Sequence, residues 1–232
     1  MPSMILSLET SSPVCSVALH RADDGQLVGQ SELRLEKSHS SHLSVLVSQL
    51  LENTLHTLQD VAAVAVSDGP GSYTGLRIGA AAAKGLCYAL DIPLIAVNTL
   101  AALARQVAAA TVPTENLLLC PMLDARRMEV YTALYRPDGT EVLAPTPLIL
   151  DETALAEQMA HHRLLCFGNG AAKLRPLVQD QSTVGFLAGI EPSAVAVGAL
   201  AVEAYKRAEF RDVAYYEPFY LKEVYTTTPK AK

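Results

Sequence analysis

The chain has 232 residues and a mass of 24.8 kDa, with half of its residues apolar and 18% charged, a balance that excludes intrinsic disorder and suits one large domain or two small ones. Its formal charge is -6 and its cations are scattered, which excludes the basic stripe that a phosphate backbone requires, so any RNA is expected to be held by another subunit. Cys15, Cys87, Cys120 and Cys166 lie far apart, with no CxxC pair and no cysteine–histidine cluster at ligand spacing, and read as buried thiols of a reducing compartment.

The opening apolar run, residues 4–8, is shorter than a signal-peptide core and meets Glu9, so a cytoplasmic protein is expected. Residues 4–9 and 14–20 read as strands joined by Thr10-Ser11-Ser12-Pro13, and after Asp23-Asp24-Gly25 residues 26–35 supply a third, completing an antiparallel meander. The period then changes. Leu43, Leu46, Val47, Leu50, Leu51, Leu55 and Leu58 recur every three or four residues, predicting a helix over 41–58 capped by Ser40 or Ser41. Residues 61–66 (VAAVAV) form a continuous apolar run, expected to be a central strand covered on both faces. A glycine-rich turn and a helix over 76–90 follow. The alanine-rich part of that helix carries Lys84 and is too short to cross about 30 Å of hydrocarbon.

Residues 93–97 predict a strand and 100–110 a helix. Three further strands are expected at 117–123, 130–135 and 142–150, with Asp138-Gly139 as the hairpin turn, then a helix over 152–161 and a strand at 164–167. The second half thus repeats the order of the first. The expected division is a domain of residues 1–98, a second of 99–225 whose last helix, 193–208, packs back on the junction, and a flexible tail, 226–232.

The most informative stretch is Gly69-Pro70-Gly71-Ser72-Tyr73-Thr74-Gly75-Leu76-Arg77-Ile78-Gly79, between a buried strand and a helix. Its glycines allow close backbone approach, and the helix start together with Ser72, Thr74 and Arg77 offers donors to an anion or nucleotide; a tight strand-to-helix connection explains it as well, since it lacks the GK[ST] ending of a P-loop and does not fit GxGxxG. Gly75, Gly79 and Ala83 recur every four residues and mark a face that another helix backbone can approach, either of this chain or of a partner. Gly79→Leu is accordingly expected to block a partner helix.

This run is similar to the signature of the TsaB (YeaZ) family of tRNA threonylcarbamoyladenosine biosynthesis proteins. Ile5-Leu6-Ser7-Leu8-Glu9-Thr10-Ser11 with Cys15-Ser16-Val17-Ala18-Leu19 resembles the family's first hairpin, Leu123-Asp124-Ala125-Arg126-Arg127-Met128-Glu129-Val130-Tyr131 its second-domain hairpin, and Glu217-Pro218-Phe219-Tyr220-Leu221 its closing segment. The resemblance implies an α/β fold of two actin-like domains, with mixed sheets flanked by helices. It also implies a non-catalytic scaffold role beside TsaD, the subunit that forms threonylcarbamoyladenosine next to the tRNA anticodon, with TsaE as third member and a homodimer when TsaD is absent. The partner face so implied comprises Leu43, Leu46, Val47, Leu50, Gly75, Leu76, Gly79 and Ala83. No tightly bound cofactor is expected, and ATP or ADP belongs to the interface of the assembled complex.

Two rival readings stand beside it: a small-molecule kinase or ATPase, and a metallopeptidase. Actin-like kinases open with an Asp-x-Gly turn, where this chain has Glu9-Thr10-Ser11-Ser12. His39 and His42 share the spacing of a helix face but lack a third ligand, so no metal site is expected. Gly168-Asn169-Gly170 reads as an adenosine contact or a plain turn, and Asp124, Arg126, Arg127 and Glu129 as a recognition cluster or, preferably, hairpin ion pairs.

Overall fold

The computed structural model describes residues 3–35, 38–178 and 182–222. The tail expected at 226–232 lies outside the described residues. The first half holds β1 (Met4–Glu9), β2 (Cys15–Arg21), β3 (Leu27–Leu33), α1 (His39–Asn53), β4 (Val61–Gly69), α2 (Tyr73–Leu90), β5 (Leu94–Asn98) and α3 (Thr99–Ala108). The second holds β6 (Leu117–Asp124), β7 (Glu129–Tyr135), β8 (Glu141–Ile149), α4 (Ala156–His161), β9 (Arg163–Phe167), α5 (Ala171–Leu174), β10 (Val184–Leu187) and α6 (Ala194–Lys206).

The strands form two five-stranded sheets, ordered β3-β2-β1-β4-β5 and β8-β7-β6-β9-β10. In each, the first three strands pair antiparallel and the last two parallel. The duplicated α/β architecture is the one the resemblance implied. β1 and β4 are mostly apolar because both faces are covered, with Glu9, Ser67 and Asp68 at their carboxyl ends. Leu6, Leu8, Val64 and Val66 meet α1 and α2, while Ile5, Ala63 and Ala65 meet α6. α3 lies between the sheets, its Leu100 and Leu103 joining Leu119, Leu123 and Phe167. Leu100, Leu103 and Phe167 retain no exposure, and burying each such side chain contributes about 1.5–3 kcal/mol.

Three local expectations are corrected. The first helix ends at Asn53, not at 58: the Thr54 hydroxyl donates back to the carbonyls of Leu50 and Leu51, Leu55 turns to a left-handed φ of 58°, and Leu58 falls in a separate 3-10 turn. Its N-cap is Ser38, and neither Ser40 nor Ser41 caps it. The helix expected over 152–161 begins only at Ala156, because Asp151 accepts from the amide and hydroxyl of Thr153 and holds a turn there. The last helix packs back on the first sheet, with Ala196, Val197, Ala201 and Val202 against Ile5, Ala63 and Val97. α5 and β10 are too short to leave a periodic signal.

All four cysteines are free and buried, and burial pushes the Cys15 and Cys87 thiols up to about 11. In the native protein none of them is expected to react with Ellman's reagent at pH 8 within minutes, whereas four equivalents should react after denaturation.

Candidate functional site

α1 and α2 lie side by side on one face of the first sheet and leave an open groove of about 800 Å³ between them. Leu8, Leu43, Val47, Leu51, Leu58 and Leu86 line it together with Ala81, Ala82 and Gly85, and Glu52 is the acidic residue on its wall. Val45 on α1, Tyr88 on α2 and Leu55 just after α1 are exposed by 44%, 86% and 94%. An apolar patch of this kind, low in charge at its centre, is what a protein partner covers.

The eight residues of the expected partner face are all buried inside the monomer. Leu43 and Val47 border the groove, while Leu46 and Leu50 pack into the core beneath α1. Gly75, Leu76, Gly79 and Ala83 face inward. A Cβ at Gly75 would collide with the carbonyl of Thr10, and one at Gly79 with the Thr10 hydroxyl. The small-residue face therefore admits the first sheet and not a partner helix, and the expectation for Gly79→Leu changes from lost docking to lost folding. The outward small face is the parallel one, Ala81 and Gly85, and a Cβ at Gly85 would meet nothing. Spacing alone offers both faces, and only the position of the sheet decides between them.

A second cavity of about 510 Å³ opens between the two halves, lined by Ser11, Ser12, Gly71, Ser72 and Thr74 on one side and Asp124, Arg126 and Asn169 on the other. Of the expected anion-contacting residues, Gly71, Ser72 and Thr74 reach it. Gly69 packs instead against the carbonyl of Phe219, and Arg77 donates to Tyr73 Oη at 2.6 Å and lies 5.1 Å over that ring. Two amides of the loop are engaged within the chain: Ser72 N donates to Ser11 O at 2.7 Å, and Gly75 N to Ser72 Oγ at 3.2 Å.

Glu9 ends β1 with no exposure, and the amide of Ser11 donates to its Oε1 at 2.5 Å. Its Oε2 has no partner among the described residues. Burial pushes the carboxyl above its usual range, against hydrogen bonds from Ser11, Ser67 and Thr10. With α2 pressed onto Thr10 and the loop onto Ser11, this corner does not fit a nucleotide phosphate.

Among the described residues no group of three His, Cys, Asp or Glu side chains is placed to hold a metal ion. His39 Nε2 lies 3.3 Å from Val14 O and His42 Nδ1 lies 2.8 Å from Ser41 Oγ, so the two are engaged by different neighbours. In the second half, Asn169 Oδ1 accepts from Asp124 N at 2.8 Å, which makes Gly168-Asn169-Gly170 a structural tie. Asp124 pairs with Lys173 at 2.7 Å and Glu129 with Lys222 at 2.5 Å, while Arg126 and Arg127 adopt left-handed φ of 70° and 48°. The two acids of the hairpin are thus paired with lysines from outside it rather than with Arg126 or Arg127.

The sequence model of the family TsaD, tRNA N6-adenosine threonylcarbamoyltransferase, matches residues 33–228. The chain is 39% identical to the tRNA threonylcarbamoyladenosine biosynthesis protein TsaB of Bacillus subtilis over 57% of its length, a segment that spans only 55% of that relative. It is 30% identical to the TsaB protein of Buchnera aphidicola subsp. Acyrthosiphon pisum over 78% of its length and 76% of the relative's. The solved structure of YeaZ from Pseudomonas aeruginosa superposes with a TM-score of 0.76 at 28% identity, covering 94% of this chain and 100% of the other. From its duplicated sheets, its strand-to-helix signature and these likenesses, the chain belongs to the TsaB (YeaZ) family, related in sequence to TsaD.

Proposed function

We propose that the chain is a docking subunit of the cytoplasmic machinery that forms threonylcarbamoyladenosine beside the tRNA anticodon. In this reading it binds a TsaD-type catalytic subunit through the α1–α2 groove and contributes no reacting group. A TsaE-type protein completes the complex, tRNA is reached only through it, and a second copy of the chain takes the groove when the TsaD-type subunit is absent. The observation that carries the reading is the groove itself, open and apolar between α1 and α2. The sealed corner at Glu9 supports the absence of catalysis, and ATP or ADP is assigned to the assembled interface rather than to this chain alone. No helix among the described residues is long and apolar enough to cross a membrane.

Ala81 is exposed in the wall of the groove. Ala81→Arg is expected to leave the folding stability within about 0.5 kcal/mol of the parent, as surface changes do, and to weaken association with a TsaD homologue on the order of tenfold or more. Calorimetric titration of the purified pair measures it, and equal affinity of parent and variant refutes the proposed face. Steady ATP turnover by the isolated chain, lost on changing Glu9, would instead favour the kinase reading.

A further inference from the structure

Residues 209–222 run over the outside of both halves. Arg211 N donates to Leu94 O at 2.8 Å on the open edge of β5. Lys84, on α2, holds the carbonyls of Ala214 and Tyr216 at 3.1 and 3.0 Å. Tyr216 is buried in the first core and its hydroxyl donates to Asp68 Oδ1 at 3.0 Å, while Phe219 N donates to Asp68 O at 2.8 Å. Tyr220 then meets the Tyr73 ring at 5.2 Å, and Lys222 reaches across to Glu129 on β7. Phe219, Tyr220, Leu221 and Lys222 form a wall of the cavity between the halves, which the buried Ser11 also lines.

We propose that this segment is a strap that holds the two halves at a fixed opening, and that it releases at its Lys222 end to admit a ligand to the cavity. The magnitudes select that end. Among the described residues the strap has a buried tyrosine and several hydrogen bonds at the first half, and at the second an ion pair whose lysine is 39% exposed. Exposed pairs of this sort contribute little, so that end opens first while the other acts as the hinge.

The test uses the full chain carrying Ser11→Cys, with labelling by a small thiol reagent as the readout, the four native thiols being buried. Lys222→Ala is expected to raise the rate of labelling at position 11 about two- to fivefold, the scale of one exposed ion pair, and Lys222→Glu to raise it further. Exchanging the charges, Lys222→Glu with Glu129→Lys, is expected to return the rate to that of the parent. A parallel distance measurement between spin labels on cysteines placed at Gln30 and Glu157, both exposed and one in each half, should lengthen in Lys222→Glu and recover in the exchange. Labelling that ignores Lys222, or an exchange that fails to restore rate and distance, overturns the proposal.

Discussion

Gly75→Ala is expected to lower the melting temperature by roughly 6–12 °C, the equivalent of about 3 kcal/mol in a chain of this size. The added methyl would meet the carbonyl of Thr10 and Ser72 Cβ. A flexible side chain could swing away from it, but the buried backbone of Thr10 at the end of a central strand cannot, so the cost falls at the upper end of overpacking. Further along the same helix, Gly85→Ala is expected to raise stability by about 0.5–1 kcal/mol, because the site is open and alanine restricts the unfolded chain. Because Gly85 lines the groove, the same change should weaken partner binding while strengthening the monomer. Thermal melts of the two variants decide the matter: two losses, or two gains, would mean that α2 is not oriented as described.

Glu9→Gln is expected to stabilise the protein above pH 5, with a gain that grows as the pH rises. The folded state holds the Glu9 proton more tightly than the unfolded chain, whose carboxyl titrates near 4.5, with burial as the main cause. Stability from this group is therefore complete below pH 4.5 and is lost as the pH climbs through the folded-state value, each tenfold difference in proton affinity being worth about 1.4 kcal/mol. Glutamine keeps an acceptor for the Ser11 amide and carries no charge to bury. His20 has the opposite dependence. Burial holds its pKa below 6.5, so its contribution is complete above that pH and is lost as the pH falls. Urea unfolding of parent and variant at pH 4.5 and pH 8 isolates Glu9, since His20 is common to both proteins. A stability difference that does not widen towards pH 8 would show that Glu9 is ionised in the folded state.

The strands of both meanders and the central run VAAVAV were legible because each is set by local pattern: alternation, turn residues, and an apolar run with no polar face to expose. The end of α1 was not, because Leu55 and Leu58 continue the helical spacing while the Thr54 hydroxyl and the left-handed Leu55 stop the helix. At the candidate site the pattern identified the two helices and their small residues but not which small face lies inward. Gly75, Gly79 and Ala83 carry the same pattern as Ala81 and Gly85, and what separates them is where β1 lies, a contact between residues far apart in the chain. The strap was illegible for the same reason: nothing near Tyr216 or Lys222 in sequence announces Asp68 or Glu129.

The placement of α6 has a consequence for how the molecule is made. One face of the first sheet, built from Ile5, Ala63 and Ala65, is covered by a helix, α6, that is synthesised only after all the strands of the second half. Until then the nascent amino-terminal half has an oily, unroofed side, and the duplicated halves cannot mature one after the other as independent beads. Synthesis order and folding order are thereby decoupled, and β1 and β4 wait for α6.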